Sequence, residues 1–165
     1  MLVHLRRCSS FISRAAAAGD ASVLVGKFKS TPGQVFDACL DRNGFEVLRI
    51  DSDSVECRLT VTPALCNNFG TLHGGAIATL VDVVGTLALL GVDPLRPGVS
   101  VEMNQSFCAA ATQGQKLNLV GRVLRTGKTL GFTETEIRIA DGKHAGRLVA
   151  TGRHTKYLAL ERAAK

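Results

Sequence analysis

The chain has 165 residues and a formal net charge of +6. This length is typical of one domain that buries a sufficient core without disulfides or a structural metal. It is too short for an α/β barrel of roughly 250 residues. Hydrophobic residues make up 45% and charged residues 21%, so the composition excludes a disordered chain. With no tryptophan and one tyrosine, the sequence does not indicate a base-stacking nucleic-acid surface.

The first nineteen residues differ in composition from the rest of the chain. They contain Arg6, Arg7 and Arg14, several serines and no acidic residue. This composition is typical of a mitochondrial transit peptide, and a plain N-terminal extension is the alternative. We predict an N-terminal extension over residues 1–30 and one domain over residues 31–165. The predicted location is mitochondrial, with the cytoplasm as the alternative.

Several motif classes are absent from the sequence. The five cysteines form no CxxC pair, which favours reduced thiols inside the cell, and the four histidines are scattered. No GxSxG is present, so the HGG at 73–75 is not the oxyanion motif of an α/β-hydrolase. The GKT at 127–129 lacks the first P-loop glycine, because Arg122 stands there. The sequence therefore predicts no metal and no prosthetic group.

The first half of the chain predicts a helix, a hairpin and a second, longer helix. TPGQ at 31–34 is typical of a helix start, and Asn43-Gly44 is typical of a helix end. Strands are predicted over 45–51 and 55–62. A glycine-rich connection then leads into an apolar helix over 75–91. That segment falls short of the ~20 apolar residues of a membrane span and contains Asp82.

The second half of the chain provides the cover that this helix needs. A helix that is apolar on every face must be buried on every side. Segments 98–107, 116–125, 129–140 and 147–158 read as strands, with apolar and polar residues alternating clearly in the middle two and turns at 126–128 and 141–143. The order predicts an α+β fold in which a curved antiparallel sheet wraps around a long central helix.

Asp82 is the one charged residue in the predicted apolar helix. A buried carboxylate is costly unless it gains a partner or a proton. It is therefore either held by nearby donors with no further role, or it lines a cleft as a general base whose basicity is raised by burial.

Gly74 and Gly75 stand at the start of the same helix. Free N–H groups and the helix dipole can stabilise an oxyanion there, although a glycine pair also suits a simple turn. Gly74 lies about 12 Å from Asp82 along the axis, at 1.5 Å per residue. If both groups are catalytic, they must reach one reacting carbon, and Asp82 should then come from a second subunit with an antiparallel helix.

Three further residues are secondary candidates. Asn67 can donate to a carbonyl oxygen, His73 can orient the loop or contact a leaving group, and Ser100 can hold a water molecule beside Asp82. Each also has a structural explanation, as a turn residue, a loop histidine and a strand residue.

Four segments then carry a family resemblance over residues 45–158: NNFGTLHGGAIATLVD, PGVSVEMNQSF, LRTGKTLGF and GRHTKYL. They resemble the hotdog-fold acyl-CoA thioesterases related to the phenylacetyl-CoA thioesterases. The spacing of HGG and an acid seven residues after its second glycine is fairly specific to that group. The resemblance implies a hotdog fold and hydrolysis of acyl-CoA to a free acid and coenzyme A. It also implies a dimer of dimers and a role in fatty acid metabolism.

The resemblance also implies roles for individual residues. Gly74 and Asn67 would polarise the thioester carbonyl, and His73 would lie near the thiolate leaving group. Asp82 of the opposing subunit would activate water with help from Ser100. The implied coenzyme A contacts are Ser100, Glu102, Phe107, Cys108, Ala109, Ala110, Ala111, Thr112, Arg125, Thr126, Gly127, Lys128, Thr129, Leu130 and Tyr157.

Departures from the family pattern keep other interpretations open. The CAAA at 108–111 replaces a stretch expected to contain proline, and the VVG at 83–85 does not match either, which affects the expected acyl pocket. An acyl-thioester hydratase or dehydratase with His73 as base is one alternative. A non-catalytic acyl-CoA-binding protein is another. The basic turn at 125–128 either contacts coenzyme A phosphates or is a solvated hairpin.

Overall fold

The structure is a computed structural model that describes residues 38–94 and 96–158. The predicted helix start at 31–34 and the N-terminal extension lie outside the described residues. Helix α1 spans Ala38–Arg42 and is followed by a turn at Asn43-Gly44. The φ of 76° at Gly44 gives the left-handed conformation that glycine adopts readily. The predicted helix end is confirmed.

Six strands form one antiparallel sheet, as the alternating segments predict. Their spatial order is β1-β2-β4-β5-β6-β3. The strands are β1 Glu46–Ile50, β2 Ser54–Thr60, β3 Val99–Phe107, β4 Lys116–Thr126, β5 Leu130–Ile139 and β6 Leu148–Tyr157. Two short 3-10 turns, Pro63–Leu65 and Gly142–His144, lie in the connections.

Helix α2, Gly74–Val92, packs against the inner face of this sheet. Its Leu80, Val84 and Leu87 have no solvent exposure, and each fully buried side chain of this kind contributes about 1.5–3 kcal/mol. Strand glycines permit the close approach, since a Cβ atom on Gly121 would lie 2.8 Å from Val84 Cγ1. By length and composition alone α2 could cross a membrane, but more than half of it is buried in this fold. The predicted α+β architecture is confirmed.

Strand β3 differs from the other long strands because it lies at an edge and is exposed on both faces. Its Val99, Val101 and Phe107 side chains are 63%, 60% and 58% exposed. A long edge strand with exposed apolar side chains is prone to pair with another strand. Because β3 is the last strand on this side, the sheet ends there and leaves part of α2 uncovered.

Candidate active site

Asp82 and Ser100 line one cleft of about 250 Å³, between the middle of α2 and the start of β3. The Asp82 side chain is 45% exposed in the single chain. The expectation of a buried carboxylate is therefore wrong in degree, because the edge strand β3 does not close over this side of α2. The position is still a cleft, and the Asp82 carboxylate and the Ser100 hydroxyl in it can act on a water molecule.

His154 on β6 connects these two residues. Its Nε2 lies 2.9 Å from Ser100 Oγ, and its Nδ1 lies 3.5 Å from Asp82 Oδ1. The ring is 1% exposed. Burial lowers the pKa of His154, and the positive charge of Lys156 lowers it further, while the negative charge of Asp82 opposes both effects. The ring is consequently neutral near pH 7.

Lys156, two residues further along β6, is a buried polar residue that lines this cleft. It is 5% exposed, and its Nζ donates to Thr86 Oγ1 at 2.6 Å and lies 3.7 Å from Asp82 Oδ1. His154 and Lys156 were both missed at the level of sequence. The signal that could have found them is the two-residue period of a strand, which places His154 and Lys156 together on the inward face of β6.

Gly85 explains part of the departure at 83–85. A Cβ atom at this position would lie 2.6 Å from Thr133 Oγ1 and 3.5 Å from His154 Nδ1. Glycine therefore gives the imidazole room against α2. Val83 and Val84 are buried in the core.

Asn67 and Gly74 line a different cleft of about 460 Å³, together with Phe107, Cys108 and Ala110. Asn67 Oδ1 accepts hydrogen bonds from the backbone N–H groups of Phe69 at 2.9 Å and Thr71 at 3.2 Å. Its Nδ2 donates to Thr71 Oγ1 at 2.9 Å. Asn67 thus fixes the loop and retains a second Nδ2 hydrogen that can donate to a ligand.

His73 is the N-cap of α2, and its Nδ1 accepts the Gly75 N–H at 2.8 Å. The Gly74 N–H has no acceptor among residues 38–94 and 96–158. It is therefore available to an oxyanion at the positive end of the helix dipole. Because Nδ1 is engaged, only Nε2 of His73 is left to face a ligand.

The structure does not bring Gly74 and Asp82 together within one chain. A Cβ atom at Gly74 would lie 3.5 Å from Phe107 Cε1, at the end of β3, whereas Ser100 and Asp82 meet at the start of β3. Ser100 and Phe107 are about 23 Å apart, at about 3.3 Å per strand residue. The two groups of candidate residues therefore occupy opposite ends of β3.

The implied coenzyme A contacts divide in the same way. Residues 107–112 follow the end of β3, while Tyr157 pairs with Leu130 on one side and Val99 on the other, near its start. Glu102 is exposed on β3. Ala111 is an exception within the first group, because its side chain is 1% exposed and packs in the core.

The basic turn at 125–129 is an exposed hairpin between β4 and β5. Gly127 N–H donates to Leu130 O at 2.8 Å, which closes the turn. Arg125 and Lys128 are exposed, and Arg96 Nη1 donates to Lys128 O at 3.0 Å, so Arg96 braces the turn from outside. No His, Cys, Asp and Glu side chains within the described residues cluster as a metal site.

Comparisons with known proteins agree with this architecture. Residues 69–145 match the thioesterase superfamily. Human acyl-coenzyme A thioesterase 13 is 44% identical over 104 residues, which is 63% of this chain and 72% of the human protein. The chain therefore belongs to the thioesterase superfamily, and the resemblance predicted from its motifs is confirmed.

Solved structures support the same conclusion. Zebra fish thioesterase superfamily member 2 superposes with a TM-score of 0.72 and 38% identity, over 81% of this chain and 91% of that chain. A Streptococcus pneumoniae thioesterase crystallised with coenzyme A has a TM-score of 0.66 and 21% identity, over 73% of this chain and 89% of that chain. The second comparison concerns the fold alone.

Proposed function

We propose that this chain is an acyl-CoA thioesterase that hydrolyses acyl-CoA to a carboxylic acid and coenzyme A. The observation that carries the proposal is the cleft in which Asp82 and Ser100 face one open volume. The 44% identity to human acyl-coenzyme A thioesterase 13 supports the substrate class. Neither a metal nor a prosthetic group enters this mechanism.

The reaction uses Asp82 as a general base. Ser100 holds a water molecule beside the substrate. The water oxygen attacks the thioester carbon while the Asp82 carboxylate takes a proton from that water. The carbonyl oxygen gains negative charge, which the Gly74 N–H and Asn67 Nδ2 stabilise. The carbon–sulfur bond then breaks, and the proton passes to the departing thiolate beside His73.

The complete site requires two copies of the chain. Each chain has the oxyanion donors at one end of β3 and the base at the other end. A two-fold axis that pairs the exposed β3 edges in antiparallel fashion would place each end beside the opposite end of the partner. The exposed apolar side chains of β3 support this pairing. Two such dimers would form the proposed tetramer.

The geometry disfavours the hydratase alternative. His73 would have to remove a proton from the substrate, but its Nδ1 accepts the Gly75 N–H, which places the ring hydrogen on Nε2 and leaves Nε2 a donor. A non-catalytic binding protein would keep both clefts and show no turnover, so the assay below separates it from a thioesterase.

The test is thiol release from a panel of acyl-CoAs of increasing chain length and of aromatic acyl-CoAs. We expect turnover by the unmodified protein, and a loss of about 10²–10⁴-fold in kcat for Asp82→Asn. Asp53→Asn is the matched control, because Asp53 is an exposed carboxylate in the turn between β1 and β2. Folding of each variant is checked by circular dichroism. Near-normal turnover by folded Asp82→Asn would remove Asp82 from the mechanism, and no thiol release from any acyl-CoA would favour the binding protein.

The composition of residues 1–19 supports a mitochondrial location for this activity. Imaging of a fluorescent fusion to the full chain tests this proposal. Substitution of Arg6, Arg7 and Arg14 by glutamine should release the fusion into the cytoplasm. Unchanged mitochondrial signal in that variant, or cytoplasmic signal of the unmodified chain, would contradict it.

A further inference from the structure

Lys156 has a position that few lysines adopt. Its side chain is 6% exposed, and it extends inward from β6 to the same cleft as Asp82 and Ser100. A buried ammonium is costly unless it is paired and hydrogen-bonded. Asp82 supplies an opposite charge, with Lys156 Nζ 3.7 Å from Oδ1.

The contacts of Asp82 are not evenly shared between its two carboxylate oxygens. Thr86 Oγ1 at 3.4 Å, His154 Nδ1 at 3.5 Å and Lys156 Nζ at 3.7 Å all approach Oδ1. Among the described residues, no side-chain or backbone donor makes a hydrogen bond to Oδ2. One oxygen thus faces the protein, while the other is left for the cleft.

Thr86 links the lysine to the backbone of the base. Lys156 Nζ donates to Thr86 Oγ1 at 2.6 Å, and Thr86 Oγ1 donates to the Asp82 carbonyl oxygen at 2.8 Å. Thr86 stands one helical turn after Asp82, so this chain of hydrogen bonds fixes the lysine against the helix face that carries the base. These hydrogen bonds thereby fix the position of the charged ammonium relative to the carboxylate.

We propose that Lys156 is a positioning residue that acts on the reaction through Asp82. Its ammonium attracts Oδ1 from the protein side, so that the carboxylate presents Oδ2 to the nucleophilic water in the cleft. With His154 neutral, the buried ammonium faces the half-exposed Asp82 carboxylate, and this opposite charge limits the cost of burying the ammonium. The inference rests on the proposed function, since it requires Asp82 to be the base.

A purely structural role would give different kinetics. A lysine that only fills space would affect folding, and loss of folding lowers the amount of active enzyme by the same factor whether or not Asp82 is present. A lysine that touches coenzyme A phosphates would change KM. A lysine that positions the base lowers kcat alone, and only while the base is present.

The first experiment compares Lys156→Met, which keeps the length but removes the charge, with Lys156→Arg, which keeps the charge. Lys116→Met is the control, because Lys116 is a surface residue paired with exposed Asp141. We expect Lys156→Met to lower kcat about 10- to 100-fold with KM within about twofold, the range that one charge-assisted hydrogen bond spans. Lys156→Arg should retain clearly more turnover than Lys156→Met. A folded Lys156→Met with normal kcat, or an arginine variant no better than the methionine variant, would overturn the proposal.

The second experiment is a double-mutant cycle with Asp82→Asn. If Lys156 acts through Asp82, Lys156→Met should change the residual kcat of Asp82→Asn by less than about twofold. If the loss of kcat in the double variant equals the product of the losses in the two single variants, the proposal is overturned. High activity of Asp82→Asn alone would instead contradict the proposed base, so the two failures are distinguishable.

Thr86→Val covers the case in which Lys156→Met does not fold. Valine keeps the shape of threonine and removes the hydroxyl that receives the Lys156 hydrogen bond. We expect a smaller loss of kcat, about 3- to 10-fold, with unchanged KM, because the Lys156 ammonium keeps its charge and its ion pair with Asp82 when the hydroxyl is lost. Unchanged kcat in folded Thr86→Val would count against the positioning chain.

Discussion

His154 lies between the candidate base and the candidate hydroxyl. Its neutral ring carries one hydrogen, and we assign that hydrogen to Nδ1 because Nδ1 faces the Asp82 carboxylate at 3.5 Å. Nε2 is then an acceptor, so Ser100 Oγ donates to it at 2.9 Å. The lone pairs of Ser100 are left to accept a hydrogen from water. Ser100 can therefore orient the nucleophile without removing its proton.

The lowered pKa of His154 makes folding stability depend on pH. Burial lowers the pKa in the folded state, so the unfolded chain binds more protons below the ordinary value of 6.5. Stability is therefore complete above pH 6.5 and falls as the pH decreases below it. We expect Tm to drop between pH 7 and about 5.5, and His154→Gln to flatten this decrease. His144→Gln is the control, since His144 is exposed in the turn before β6. An unchanged pH dependence in folded His154→Gln would contradict a neutral buried ring.

At the scale of elements, hydrophobic periodicity was sufficient for the helix and the strands. The apolar positions of α2 and the alternation in β4 and β5 follow from burial of one face, which a sequence records directly. The order of strands in the sheet depends on contacts far apart in the sequence, and periodicity does not record it. The edge position of β3 could therefore not be predicted, and neither could the exposure of Asp82 beside it.

The candidate site shows the same limit. Asp82 and Gly74 stood out because a lone charge in an apolar helix and a glycine pair at its start are local features. His154 and Lys156 lie more than seventy residues after Asp82 and meet it because α2 packs against β6. A local pattern can place them on the inward face of a strand, but the sheet topology decides which helix residue they meet.

The basic turn between β4 and β5 is the element proposed to contact coenzyme A phosphates. Arg125 and Lys128 are exposed, and the brace from Arg96 fixes the turn in the unbound chain. Charge-assisted contacts to phosphate should contribute to ground-state binding. We expect the double variant Arg125→Ala, Lys128→Ala to raise KM for acyl-CoA about tenfold with little change in kcat. A pantetheine thioester without the nucleotide should be unaffected.

The matched control for this prediction removes two other exposed positive charges. Arg58→Ala with Lys116→Ala lowers the net charge by the same amount on the outer face of β2 and β4. It should leave KM for both substrates unchanged. Equal effects of the Arg125 and Lys128 substitutions on acyl-CoA and on the pantetheine thioester would argue for a solvated hairpin with no phosphate contact.

At the scale of the whole molecule, one geometric fact governs the mechanism. The helix α2 is rigid and carries both Gly74 and Asp82, so neither a loop movement nor a side-chain rotation can close a gap of about 12 Å between them. A second chain related by a two-fold axis solves this for two sites at once. The same operation would cover the exposed edge of β3. In the proposed dimer, catalysis and the protection of an aggregation-prone edge would use the same partner surface.

Complementation between two inactive variants tests this arrangement. Asp82→Asn removes the base, and Gly74→Pro removes the oxyanion N–H. The proline should fit, because Gly74 is the first residue of α2, His73 before it is extended at ψ 138°, and a Cβ atom at Gly74 meets only Phe107 at an ordinary 3.5 Å. Each variant alone should be folded and inactive.

Equal amounts of the two variants are unfolded together and refolded. In a mixed dimer, one site receives both substitutions and the other receives neither. Random pairing makes half of the dimers mixed, so about a quarter of all sites should be active. Native mass spectrometry measures the fraction of mixed dimers, and each variant refolded alone gives the background. Because an intact site arises only if Gly74 and Asp82 come from different chains, mixed dimers without recovered activity would assign the reaction to groups within a single chain.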